Sequence, residues 1–222
     1  MNNFKNIYIG AMSGTSHDAV DVSILKIEKD ITLNFFYSKP IPNSLRTRIK
    51  NIIEADSATL AELGQLNKKI GYLFAAAINE SIEKVKLKKN KVKCVAISGQ
   101  TIRHDVVSAN PFSMQIGDPN VVSNETGLTT ISDFRNMHIS LGGEGAPLVP
   151  EFHNELFHSS RKSKIILNIG GIANYSYIKN KNYFWGSDVG PGNALMDSYC
   201  QKYLNKPFDK DGKIASKGKV DS

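Results

Sequence analysis

Apolar and polar residues alternate along Ile7 to Leu25, IYIGAMSGTSHDAVDVSIL, in two β-type runs that flank a polar tip of Gly10, Ser13, Gly14, Thr15, Ser16 and Asp18. This pattern predicts a β-hairpin. Ile31 to Tyr37 alternates again and is followed by the turn-prone KPIPNS, which predicts a third strand and an antiparallel meander. The period then changes to that of a helix. One helix is expected from about Ser44 to Ala55. A second, from about Ala58 to Lys86, opens on a Thr59/Glu62 capping box and repeats Leu63, Leu66, Ile70, Phe74, Ile78, Ile82 and Val85 on one face.

Val92 to Ser98 is a short apolar run suited to a buried strand, and it empties into the polar GQTIRHD. Asp118 and Pro119 mark a helix start, Gly127 its end, and Leu128 to Ser132 a further strand that delivers Asp133 and Arg135 at its C-terminal end. Three glycines surround Glu144 in LGGEGAPLVPEFH, and a helix is expected over Pro147 to Phe157. After the polar, basic stretch HSSRKSK the opening theme returns. Lys164 to Ile178 reads as two strands around Asn168, Gly170 and Gly171, Tyr183 to Ser187 as a third, and Ala194 to Leu204 as a helix capped by Asn193 behind Gly190, Pro191 and Gly192. Recurrence of a glycine-turned hairpin predicts duplicated α/β domains, 1–160 and 161–222, with a ligand between them.

The composition is that of an ordinary globular chain: 222 residues, 41% hydrophobic and 22% charged. The net charge of +7 invites a nucleic-acid partner, but much of the excess falls in Lys84 to Lys93, with no aromatic residues interleaved. No nucleic-acid or membrane partner is therefore expected. Cys94 and Cys200 are far apart and outside any metal-ligand spacing, which reads as buried free thiols in a reducing cytoplasm. Neither a signal peptide nor an apolar run of transmembrane length is recognised, so a cytoplasmic protein is expected.

Candidate chemistry collects at the turns. Uncovered N–H groups and hydroxyls at the first hairpin tip suit phosphate oxygens, and Asp18 and Asp21 suit Mg²⁺, directly or through water; a plain polar turn is the alternative. Gln100, Thr101, Arg103 and His104 follow a buried strand, where open α/β sheets bind ligands, or form an ordinary loop. Asp133 and Arg135 are either functional or a structural ion pair. The helix start at Gly190 to Asn193 favours an anion, with Asp188 beside it as a metal-side carboxylate.

MSGTSHDAVD, GQTIRH, QIGDPN, DFRNMH, GGEGAPLVPEFH, NIGGIAN, GPGNALMD and DKDG together resemble, in order and over nearly the whole chain, the motifs of the anhydro-N-acetylmuramic acid kinases. That family lies within the actin, Hsp70 and sugar-kinase superfamily. The resemblance implies ribonuclease H-like duplicated domains, with the second incomplete: three strands and one helix, lacking the adenosine-binding glycine motif. It implies a homodimeric enzyme of cell-wall recycling that uses ATP and Mg²⁺ to open the 1,6-anhydro ring and phosphorylate O6. A sugar- or phosphate-binding remnant without catalytic competence is the alternative. By the same resemblance the nucleotide is held by Ser13, Gly14, Thr15, Ser16, His17, Asp18, Ala19, Val20 and Asp21, and by Gly170, Gly171, Asp188, Gly190, Gly192 and Asn193. The catalytic base is Asp133, the sugar contacts are Gln100, Thr101, Arg103, His104, Arg135 and Glu144, and Asp188 faces Mg²⁺. The chain departs from the family pattern at Ser98, where His is usual, at His17 and Ala19, where Leu and Gly are commoner, and at Val189, where Thr is usual.

Overall fold

The computed structural model describes residues 6–219 and divides into two compact units, 1–145 and 146–222. In the first unit, β1 (Ile7–Ser13), β2 (Ala19–Ile27) and β3 (Ile31–Pro40) form the expected meander. Helices α1 (Asn43–Ala55) and α2 (Leu60–Lys84) follow, and the Thr59 hydroxyl accepts the Glu62 N–H as the capping pattern requires. β4 (Val92–Asp105) runs parallel to β1, and the sheet order is β3-β2-β1-β4-β5, with β5 (Phe112–Ile116) antiparallel and β6 (Thr130–Ile131) parallel to β4. Helix α3 (Pro119–Thr126) precedes β6, and α4 (Phe134–Ser140) follows it.

Strand alternation fixes which face of this sheet is covered. Ile7, Ile9 and Ala11 of β1 and Val20, Val22 and Ile24 of β2 point to one side and are buried with Leu66, Ile70, Phe74 and Ile78 of α2. Phe74 is fully buried, and truncating such a side chain to Ala costs about 3–5 kcal/mol. β3 is an exposed edge strand. It is tied to α2 through Glu80, which accepts from the Tyr37 hydroxyl at 2.6 Å and from Lys39 at 2.5 Å.

The second unit begins with α5 (Val149–Phe157) and the antiparallel sheet β7 (Lys164–Ile169), β8 (Ile172–Asn180), β9 (Tyr183–Pro191), followed by α6 (Ala194–Leu204). α5 packs on β8 and β9: Pro150 meets Gly186, and the His153 ring nitrogen lies 2.8 Å from the Ser176 hydroxyl. The division between units therefore falls at Gly145/Ala146, ahead of the 158–164 stretch chosen from composition. On the other face of this sheet Ile165, Leu167, Ile169 and Trp185 are exposed. No helix among the described residues is long and apolar enough to cross a membrane.

The polar GQTIRHD is not a loop: β4 continues through it to Asp105, paired with β5. The short strand β6 leads through Ser132 to Asp133, which is the N-cap residue of α4, and Arg135 lies in the first turn of that helix rather than at the strand end.

Candidate active site

Within the first unit an open cavity of about 510 Å³ is bounded by Asp133 and Asn136 of the α4 start, Ser98 and Gly99 of β4, Ser113 and Gln115 of β5, and Asn67 of α2. Its floor depends on Gly99. With φ at +70°, this residue sits where a Cβ would come within 2.6 Å of the Ile116 carbonyl oxygen. Asn67 closes one side, its Oδ1 accepting the Gly117 N–H at 2.7 Å. Beyond it Lys68 pairs with Asp118 at 2.5 Å, which holds the Asp118 carboxyl below the usual carboxylate range while it caps α3 at Asn120.

Asp133 occupies the rim with φ at +65°, a left-handed conformation that costs a non-glycine residue about 1 kcal/mol or more. Its exposed carboxylate makes no capping bond to the helix and accepts instead from Asn136 Nδ2 at 2.7 Å. Ser113 and Gln115 line the cavity, and Ser113 Oγ and Gln115 Oε1 are buried with no hydrogen-bond partner among the described residues. Asn67, Ser113, Gln115 and Asn136 were not singled out from sequence, because Asn and Gln in a polar run carry no local signal of a shared cavity.

The first hairpin tip is more internally committed than a free phosphate cradle. Ser13 is buried and donates to Gln100 Oε1 at 2.7 Å; Ser16 donates to Asp18 Oδ1 at 2.5 Å, which also accepts the Ala19 N–H at 3.0 Å. The Val20 side chain is fully buried in the core, whereas Asp21 lies on the opposite face of β2. Thr15 is exposed at the tip. Half-buried His17, with φ at +54°, is held by its N–H on the Gly14 carbonyl oxygen at 3.2 Å. Its Nδ1 stands 3.0 Å from Gln100 Nε2, and burial pulls its pKa below 6.5. An amide nitrogen only donates, so His17 Nδ1 is the acceptor.

Gln100 is thus a buried link, its amide spent on Ser13, His17 and the Thr101 carbonyl oxygen, rather than a side chain presented to a ligand. Thr101 Oγ1 accepts from Gln115 Nε2, and Arg103 pairs with Asp56 at 2.7 Å. His104 is exposed on β4. Arg135 Nη1 donates to the Gly145 carbonyl oxygen at 2.9 Å, while His138 Nδ1 accepts the Gly145 N–H at 3.0 Å. Both backbone groups of Gly145 are clamped to α4 in this way, and Glu144 is left exposed in the loop.

In the second unit the turn at Gly170 and Gly171 receives the start of α6. Gly192 N–H donates to the Gly171 carbonyl oxygen at 2.9 Å, Asn193 N–H to that of Gly170 at 2.8 Å, and Ala194 N–H to that of Gly171 at 3.3 Å. A Cβ on Gly192 would fall 2.2 Å from the Gly170 oxygen, so only glycine allows this approach. Three N–H groups expected to face an anion are therefore spent on carbonyls, and Asn193 makes no side-chain cap. Gly190 and Asp188 belong to β9, with Asp188 paired to Asn174 and its carboxylate exposed. Among the described residues no group of three or more His, Cys, Asp or Glu could hold a metal ion. Mg²⁺ usually takes one or two carboxylates together with nucleotide phosphates, so a single Asp188 fits a phosphate-borne ion but not an all-protein site.

Sheet order, antiparallel meander and parallel β4 and β6 define an α/β protein. The sequence profile of anhydro-N-acetylmuramic acid kinase matches residues 6–222. A relative named anhydro-N-acetylmuramic acid kinase, from Gamma-proteobacterium EBAC31A08, is 62% identical over 98% of this chain and 60% of its own length. One of the same name from Vibrio cholerae is 42% identical over 98% of this chain and 59% of its own. The chain belongs to the anhydro-N-acetylmuramic acid kinase family, and it spans about 60% of the length of these relatives.

Proposed function

We propose that the protein works as an ATP-dependent kinase on 1,6-anhydro-N-acetylmuramic acid in cell-wall recycling. The observation that carries this reading is the Asp133 carboxylate, exposed at the rim of an open cavity in a chain of this family. An ionised carboxylate there takes a proton from water as the water oxygen bonds to the anomeric carbon. The bond from that carbon to O6 breaks, and O6 takes the γ-phosphoryl group of ATP, releasing ADP.

Thr15, exposed at the hairpin tip, is the hydroxyl best supported as a phosphate donor. Asp188 is the carboxylate that would face Mg²⁺, which when bound with the nucleotide would neutralise phosphate charge. The reading extends to a cytoplasmic homodimer. Its sugar contacts include Arg135, which holds the Gly145 carbonyl oxygen from α4, and Glu144 in the loop beside it.

The deciding experiment is a coupled ATPase assay with and without the anhydro sugar, beside calorimetry with the sugar alone. Sugar-dependent turnover that Asp133→Asn abolishes supports the kinase. Sugar binding without turnover identifies a binding remnant, and neither overturns both.

A further inference from the structure

Asn136 makes three hydrogen bonds, and together they leave its amide only one orientation. Ser113 N–H donates to Asn136 Oδ1 at 2.8 Å, and Asn136 Nδ2 donates to the Ser113 carbonyl oxygen at 2.9 Å. A backbone N–H only donates and a carbonyl oxygen only accepts, so the amide cannot be flipped without losing both bonds. One hydrogen of the Nδ2 group is used on Ser113. The other points at Asp133 Oδ1, 2.7 Å away.

We infer that Asn136 is a positioning residue for Asp133: anchored to the backbone of β5, it holds Oδ1 of the carboxylate and leaves Oδ2 to face the cavity. The inference rests on the proposed role of Asp133 as the base.

Three features give the contact this role rather than that of a surface hydrogen bond. Asp133 is an N-cap residue whose carboxylate forgoes the usual capping bond, so no backbone N–H of α4 fixes its rotamer and the Asn136 side chain does so instead. Its backbone sits in the left-handed region, a strain found where surrounding structure dictates a side-chain direction. Ser113 is buried on β5, so the anchor belongs to the sheet and not to a mobile loop. A donor on Oδ1 thereby does for Asp133 what a carboxylate does for a catalytic histidine: it fixes which atom is presented.

Side-chain amide NMR of the full chain with Asn136→Ala and Asp133→Ala, combined with steady-state kinetics, tests the inference. The Asn136 Hδ2 proton facing Asp133 is expected downfield of the exposed Asn side chains and to move back among them in Asp133→Ala. In turnover, Asn136→Ala is expected to lower kcat roughly 10- to 100-fold, the order of a slightly misplaced catalytic group, with KM for the sugar unchanged. Asn136→Asp, of the same shape but without the donor, is expected to lose at least as much. An Asn136 resonance indifferent to Asp133→Ala, or a kcat unchanged in Asn136→Ala, overturns the inference. If the unsubstituted chain shows no sugar-dependent turnover, the functional reading falls and the NMR comparison alone decides whether Asn136 holds Asp133.

Discussion

Ser13 and Gln100 are 87 residues apart and share a buried 2.7 Å hydrogen bond that ties the tip of the first hairpin to the middle of β4. Replacing Gln100 by Leu strands the Ser13 hydroxyl, His17 Nδ1 and the Thr101 carbonyl oxygen together. The expected loss is about 1–3 kcal/mol in urea denaturation. Faster amide exchange should be confined to Gly14 through Ala19, and uniform exchange across the unit would refute the link.

His17 should titrate with a midpoint below 6.5, because burial disfavours its charged form. The native state then binds fewer protons than the unfolded chain in the window beneath 6.5. Its contribution to stability is complete above that value and declines as pH falls through the window. Histidine NMR titration checks this, and a midpoint at or above 6.5 contradicts it.

Acid should weaken the α2–α3 junction through Asp118. Lys68 holds its carboxyl below the ordinary 3.8, so the stabilisation is present above that value and fades as pH drops towards the lower native one. Lys68 is half exposed, so Lys68→Met should cost only about 0.5–1 kcal/mol and move the acid limb to higher pH. Asp118→Ala also removes the cap of α3 and should cost about 1–2 kcal/mol, read as a drop in the urea midpoint.

Gly99→Ala combines a disfavoured left-handed backbone with a Cβ 2.6 Å from the Ile116 carbonyl oxygen. A loss of about 2–4 kcal/mol is expected in denaturant unfolding. Calorimetry with the anhydro sugar should show weaker binding as β4 and β5 move apart beside the cavity. A neutral substitution would mean that the backbone around Gly99 can relax.

Periodicity made the first hairpin and α2 legible, because each buries one regular face: Ile9, Val20 and Val22 at period two, and Leu66, Ile70, Phe74 and Ile78 at helical spacing. The second half of β4 was hidden for the opposite reason. Arg103 and His104 are exposed and their partner strand β5 carries Ser113 and Gln115, so that extension has no apolar alternation to read. α4 is seven residues long and starts on an Asp that does not cap it, which leaves no start signal. Motif resemblance found Asp133 within the candidate site. Asn136 was invisible because its meaning lies in contact with Ser113, a strand that the pattern did not predict. The free anion-binding helix end failed on a similar point: local sequence offers the N–H groups of Gly192 and Asn193, and only the fold shows the Gly170 and Gly171 carbonyls already taking them.

The left-handed backbone at Asp133 sets the goals of protein engineering against one another. Asn tolerates that conformation better than Asp, and in its place would still accept the Asn136 hydrogen bond. A library of this chain sorted for thermal resistance alone would therefore retain, or even enrich, Asn at 133 and discard the carboxylate on which the proposed chemistry depends. Stabilised variants of this protein should be selected with that position held fixed.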